Sequence, residues 1–291
     1  MCCILASVTL SVVIITYNEE ANIGQTLASV QPLVRDGNGE IIVVDSGSTD
    51  RTVEVARSYG AKCFIEEWKG YAAQKNSAIE KATGDWILSL DADEALEPEL
   101  AELIAGKCAA PAINSPEWCL TMALAGKSLS NSPLKGEPAG FWFARKNFFL
   151  GRWIKHGGFW PDSKLRLFRR GAGRFENRAV HEDLHVAGVT SAVQHGALIH
   201  HGYPTLSDYI EHMNRYSSLG AEMAVAKGQR GSVVSIVFRP VSTFIYNYFF
   251  RLGFLDGREG LLLHLYHAVY VSWKYAKVWE LAHSAQDPPA K

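Results

Sequence analysis

The stretch DWILSLDADE, residues 85–94, decides the fold. Its first half is the short apolar run of a strand buried inside a sheet. It stops abruptly in three carboxylates among four residues, Asp91, Asp93 and Glu94. Working outward toward the N-terminus, LSVVIITY (10–17), EIIVVDS (40–46) and AKCFIEE (61–67) are also strand patterns. Between them EEANIGQTLASVQPLV (19–34), STDRTVEVARSYG (48–60) and YAAQKNSAIEKATG (71–84) carry helical periodicity. The second helix is expected to begin at Ser48 or Thr49 and to stop at Gly60, and the third to close at Gly84. Strand, helix, strand, repeated, predicts an α/β protein with a parallel sheet and right-handed crossovers.

Ligands of such sheets collect beyond the carboxyl ends of the strands. The polar residues of this sequence fall there: Thr16, Tyr17, Asn18 and Glu19 after the first strand, Asp45 and Ser46 after the second, Asp91 and Asp93 after the fourth. That is a nucleotide pocket in outline. No G-x-G-x-x-G follows the first strand and no G-x-x-x-x-G-K-[ST] occurs, which argues against dinucleotide and P-loop chemistry. In an extended segment alternate residues point the same way, so Asp91 and Asp93 are expected to face one ion. Mg²⁺ binds through one or two carboxylates plus substrate phosphates, and Mn²⁺ takes the same oxygens while tolerating an imidazole.

Toward the C-terminus the pattern breaks between 107 and 138, where four prolines punctuate an aperiodic stretch read as a long loop or insertion. FWFARK, KLRLFRR and GVTSAVQHGALIH, within 141–200, then read as strands extending the sheet. TLSDYIEHMNRYSSLGAEMAVAKG (205–228) is helical, with Thr205 or Ser207 as cap. From 235 to 281 the chain is rich in Phe, Tyr and Trp. Arg239, Pro240, Arg251 and the turn at 256–259 are expected to keep any apolar run below the roughly 18 residues of a spanning helix. Phe244, Ile245, Tyr248, Phe249 and Leu252 share one helical face, which either lies in a membrane interface or packs on the protein itself.

Net charge is −1, but residues 1–100 hold 16 acidic against 7 basic side chains, and residues 135–178 hold 11 basic against 3 acidic. A basic segment beside an acidic half suits phosphorylated ligands or an anionic membrane better than nucleic acid, and is otherwise a solvated face. Five cysteines without metal-ligand spacing fit a reduced cytoplasmic setting. The N-terminal run lacks a basic leader and feeds straight into a strand pattern, unlike a signal peptide.

SVVIITYNEE, IIVVDSGSTDRT, AQKNSAIEKATGDWILSLDADE, DSKLRLFRR and VHEDL follow one another as the blocks of the inverting glycosyltransferases of family 2, and the sequence resembles that family over most of its length. LRLFRR, VHE, LIHHGYPTLSDYIEHMNRYS and GFLDGREG resemble more narrowly the bacterial lipopolysaccharide inner-core enzymes that add β-1,4-linked glucose to heptose. The resemblance implies the GT-A fold, a mostly parallel Rossmann-like sheet with a mixed extension and a helical C-terminal segment. It implies a catalytic domain over 1–204, with a nucleotide-sugar half (1–106) and an acceptor half (107–204), and a helical region over 205–291 that is a candidate for membrane association. It implies a UDP-sugar donor, a divalent Mg²⁺ or Mn²⁺, a glycan or glycolipid acceptor, and work at the cytoplasmic face of the inner membrane.

By the same resemblance Thr16, Asn18 and Glu19 line the nucleotide site, Asp45 contacts uracil or ribose, and Lys75 reaches the nucleotide unless it is a helix-surface lysine. Asp91 approaches ribose or metal and Asp93 binds the metal, with His200, or else His201, as a further contact. Inverting transfer needs a base near the attacking hydroxyl, and the acidic pair Glu182 and Asp183 supplies it, the narrower group favouring Glu182. Arg166 and Arg169 are candidates to hold acceptor phosphates, unless their strand merely turns them to solvent. Asp45 and Asp50 could instead cap the second helix. One competing motif stands in the same region: HEDLH (181–185) satisfies H-E-x-x-H, which would make a zinc metallohydrolase of His181, Glu182 and His185 if it were helical. A nucleotide-sugar-binding module without turnover is the third reading.

Overall fold

A computed structural model describes residues 9–37, 39–109, 137–176 and 183–284. Glu182 and His181, most of the proline-rich stretch, and Cys2, Cys3 and Cys119 lie outside the described residues. By their contacts the described residues form two units, one of residues up to 145 with 163–176 and 183–200, the other of 146–162 with 201–284.

The first unit is built on β1 (Leu10–Thr16), β2 (Gly39–Asp45), β3 (Lys62–Ile65) and β4 (Trp86–Asp91), joined by α1 (Ile23–Val34), α2 (Thr52–Ser58) and α3 (Tyr71–Glu80). The order β3-β2-β1-β4 is parallel throughout, with Leu10 opposite Gly39 on one side and Trp86 on the other. Every residue of β1 is buried, as a strand covered on both faces requires. Alternation sorts them: Val12, Ile14, Ile41, Val43, Leu88 and Leu90 pack with Ile23 and Leu27 of α1, whereas Val13, Ile15, Ile42, Val44 and Ile87 pack with Ala78 of α3. The second helix starts later than its sequence suggests, at Thr52, because residues 46–51 are occupied with the turn described below.

Beyond β4 the sheet turns antiparallel. β5 (Glu94–Leu96) leads into α4 (Pro98–Ala109); β6 (Gly140–Phe149), β7 (Arg152–Trp153), β8 (Lys164–Arg169) and β11 (Thr190–Tyr203) complete a sheet whose order continues β4-β8-β6-β11-β5, with β7 on β6. β9 (Gly173–Phe175) and β10 (Leu184–Val186) form a separate antiparallel pair. β5 is absent from the sequence reading because three residues carry no period. Glu40 ties the opposite rim: its carboxylate accepts from Ser11 Oγ at 2.7 Å, Thr83 N at 2.7 Å and Lys62 Nζ at 2.7 Å.

The second unit is mainly helical, with α5 (Leu206–Ala226), α6 (Val233–Ile245) and α7 (Gly257–Ser284). Thr205, not Ser207, caps α5 in a reciprocal box with Asp208. α6 runs through Arg239 and the buried Pro240 into a π-helical turn, Tyr246–Phe250, then a left-handed Leu252 and a 3-10 turn, Gly253–Asp256. Val233–Phe250 is therefore, by length and composition alone, one stretch apolar enough to cross a membrane. The expected interruption fails because Pro240 sits inside the helix without ending it. The expected stripe is also redistributed by the π turn: Phe244 and Tyr248 are half-buried and stacked 5.1 Å apart, while Ile245 and Phe249 are exposed. Asp256, buried, accepts from Lys155 N at 3.2 Å and His156 N at 2.8 Å, so the loop at 154–158 groups with these helices.

Burial raises the Glu40 carboxyl, but hydrogen bonds from Lys62, Thr83 and Ser11 outweigh it and bring it down to about 2. A carboxylate depressed in the folded state contributes stability above its unfolded pKa of about 4.3 and loses it as pH falls toward the folded value. The urea midpoint of the chain should therefore fall between pH 5 and 2, by estimates of this size, and Glu40→Gln should flatten that slope while lowering the midpoint at neutral pH.

Candidate active site

The carboxyl ends of β1 and β2 carry two loops that clasp each other. Asn18 takes a left-handed φ of 54°, tolerable for asparagine. Its N–H donates to Ser48 Oγ at 2.8 Å, and its Oδ1 accepts from Thr49 N at 2.8 Å. Asp45, fully buried, closes the second loop: Oδ1 accepts from Gly47 N at 2.9 Å and Ser48 N at 2.8 Å, and Oδ2 accepts from the Ser48 hydroxyl. Asp45 thus makes a turn and not a helix cap. Asp50 serves α2, accepting from Thr52 N at 3.0 Å and also from Glu20 N at 3.1 Å. Thr16, 5% exposed, ends β1 with a buried hydroxyl that has no partner among the described residues, and Tyr17 beside it is 57% exposed.

At the end of β4 the DADE segment is a turn, not an extended strand, so the alternation expected of Asp91 and Asp93 does not apply. Each carboxylate has its own basic partner. Asp91 Oδ1 lies 2.7 Å from Lys75 Nζ, and Oδ2 lies 2.5 Å from Arg166 Nη2. Lys75 is 4% exposed, with Nζ 5.1 Å from the centre of the Phe175 ring, so it is no surface lysine. Burial opposes ionisation of Asp91, but Arg166, Lys75 and Arg145 hold it well below the usual carboxylate range. Glu94, fully buried, accepts from Arg145 Nη1 at 2.8 Å, Arg166 Nη2 at 2.7 Å and Asp91 N at 3.2 Å.

Asp93 meets His200, whose Nε2 is 3.0 Å from Oδ2. The contact follows from register: β5 pairs with β11 so that His200 stands opposite Glu94. His201 stacks instead on Phe148, 4.8 Å between centroids. Burial raises the Asp93 carboxyl, and the charge and hydrogen bond of His200 bring it below its ordinary value. Glu19 is raised by burial and further by Asp93, Asp50 and Asp91, against the hydrogen bond from Asn22. Glu19 therefore lies within the field of Asp93 and Asp91.

Asp93 and His200 offer one carboxylate and one imidazole, and among the described residues no group of three or more His, Cys, Asp or Glu could hold a metal alone. The donors fit an Mg²⁺ or Mn²⁺ whose remaining ligands are phosphate oxygens and water.

Arg166 and Arg169 divide differently from expectation. Arg166, 6% exposed, donates from Nη2 to Asp91 and Glu94, which corrects its solvent-facing alternative. Arg169 is more open, bonded to Glu137 Oε2 at 2.5 Å and stacked 5.0 Å from Trp86. Asp183 is exposed, its carbonyl accepting from Glu176 N at 3.0 Å. The H-E-x-x-H reading needs a helix, yet His185 lies on β10, bonded to Glu176 Oε1 at 3.0 Å. The i, i+4 convergence of that motif needs His185 on a helix, which its strand position denies. Sequence reasoning missed Glu94 and Arg145 as the framework of the site; the signal was weak, because Glu94 closes an acidic run and Arg145 is followed in its strand by Lys146 and Asn147.

A sequence model of Glycosyl transferase family 2 matches residues 11–172. A lipopolysaccharide core biosynthesis glycosyltransferase, LpsC, of Rhizobium meliloti (strain 1021) is 30% identical over 93% of this chain and 92% of its own length. An uncharacterized glycosyltransferase of Rickettsia typhi is 27% identical over 94% of this chain and 87% of its own. Among solved structures, the mannosyltransferase PcManGT of Pyrobaculum calidifontis, in complex with GDP-Man and Mn²⁺, aligns with a TM-score of 0.46 at 16% identity, over 97% of this chain and 76% of that one. The parallel sheet with its antiparallel extension and helical C-terminal part is the GT-A fold. With a family match across more than half its residues and a relative that parallels it almost end to end, the chain belongs to glycosyl transferase family 2 and is a glycosyltransferase.

Proposed function

We propose that the protein transfers a hexose, glucose by preference, from a UDP-sugar to a hydroxyl of a cell-envelope glycolipid, with inversion by direct displacement, at the cytoplasmic face of the inner membrane. The observation that carries this reading is the Asp93–His200 pair, 3.0 Å apart beside the cation-locked Asp91, at the carboxyl edge of the parallel strands. The name of the Rhizobium meliloti relative supports a lipopolysaccharide core acceptor such as heptose.

In this reading the clasped loops at Asn18 and Asp45 shape the nucleoside end, the exposed ring of Tyr17 offers a stacking face for the base, and the unpartnered Thr16 hydroxyl and Glu19 line the site. Lys75 keeps Asp91 ionised and fixed, and Asp91 orients the ribose or diphosphate end. Asp93 and His200 would hold the divalent ion, which would supply positive charge against the departing UDP. Glu182 removes the proton from the attacking hydroxyl, with Asp183 the neighbouring candidate, and Arg169 meets acceptor phosphate.

UDP release from UDP-glucose, followed with and without divalent ion and with truncated lipopolysaccharide as acceptor, tests the proposal. Asp93→Asn should lower metal-dependent release by about a hundredfold or more, and Glu182→Gln should lower transfer by roughly 10²–10⁴ while leaving donor binding intact. A chain whose release ignores both substitutions is not this enzyme. Arg166→Ala tests the framework separately: it takes one of three donors from Glu94 and leaves Asp91 with Lys75, and should cost about 3 kcal/mol of unfolding free energy, read from urea melts, together with weaker donor binding.

A further inference from the structure

α6 is built inside out. Its buried positions are Ser235 and Pro240, and Ser272 Oγ on α7 donates to the Ile236 carbonyl at 3.1 Å, so the small and polar residues face the neighbouring helix. The outward side carries Val237, Phe238, Val241 and Ile245, and the π turn continues it with Phe249 and Phe250, all between 42% and 75% exposed. A helix that only completes its own protein's core has the opposite arrangement. Exposed apolar surface repeated at helical spacing marks a binding face, not scattered surface residues.

The surroundings say what that face meets. Arg251 directly follows it, with its guanidinium 5.7 Å from the Tyr246 ring, and its carbonyl accepts from Gly157 N at 2.8 Å. That bond ties in the loop bearing Lys155, exposed, with Nζ 4.4 Å from the centre of the Trp153 ring, and Arg152, also exposed. Cations on long stems around an aromatic, apolar face complement an anionic lipid headgroup layer over acyl chains. Arg239, midway along α6, donates to the Tyr275 hydroxyl on α7. In a spanning helix that arginine would sit at the bilayer centre, where charge is costly.

We infer that the outward face of α6 and its π turn is a membrane-docking surface for an anionic phospholipid bilayer, inserted to interfacial depth without crossing it. This deepens the membrane-surface reading above and rests on it. Seated this way the enzyme would find a lipid-anchored acceptor by diffusion in the plane of the membrane.

Flotation of the full chain with lipid vesicles tests it. The chain should float with vesicles containing phosphatidylglycerol, less with phosphatidylcholine alone, and less again as salt rises. Phe238→Ser with Phe250→Ser should weaken flotation by at least about tenfold, leaving the thermal melt and UDP release from soluble donor unchanged; Val237→Ser with Val241→Ser serves as a second pair. No flotation by the parent chain, equal flotation by both variant pairs, retention after alkaline carbonate washing, or a dimer in light scattering that the same variants abolish would each overturn the inference. Failure of the acceptor reading looks different: the chain floats normally but glycosylates no vesicle-borne glycolipid. Failure of docking alone leaves glycolipid in detergent glycosylated by a chain that does not float.

Discussion

A guanidinium shared by two carboxylates is the constraint from which the active edge of this enzyme is built. Arg166 reaches Asp91, 75 residues away, and Glu94, 72 residues away, through the same Nη2. A buried charge of this kind is costly unless it is paired; Arg145 and the Asp91 amide complete the donors to Glu94, while Arg166 Nε has no partner among the described residues. The result fixes both ends of a four-residue turn. Asp91 is locked at one end and Glu94 at the other, and Asp93 is left facing His200.

Much of this was legible in advance, and for identifiable reasons. Strands such as VVIIT and IIVVD announce themselves because burial on both faces demands unbroken apolar runs. The polar residues after them mark the ligand edge because the topology leaves that edge alone free for function. Partners that lie far off in sequence were not legible. Arg166 reads as one of several arginines in KLRLFRR, and only the burial of Leu165, Leu167 and Phe168 on either side discloses that it points inward. Asp45 reads as a nucleotide contact, and the bonds its oxygens accept within its own loop, from Gly47 N and Ser48 N, were not legible beside that reading. Local hydrogen bonds of this type compete with any ligand for the same lone pairs.

The helical unit shows the converse limit. Its apolar content was evident, and so was an apolar face, but the π turn rotates the residues beyond Ile245 and changes which of them meet solvent. Periodicity assumes an unbroken 3.6-residue turn, and five residues of wider winding undo it. Pro240 misled in the same way, since a proline within a helix bends or tolerates it as often as ending it when neighbours cover the freed carbonyl.

The pairing of β5 with β11 has a temporal meaning. Residues 10–91 hold all four parallel strands and their helices, so that layer can gather while the ribosome is still at work on the remainder. His200 arrives far later, on the last strand of the sheet. A nascent chain interrupted in between would hold the residues of the parallel layer without the His200 that meets Asp93, so that pair can close only when the last strand of the sheet is made.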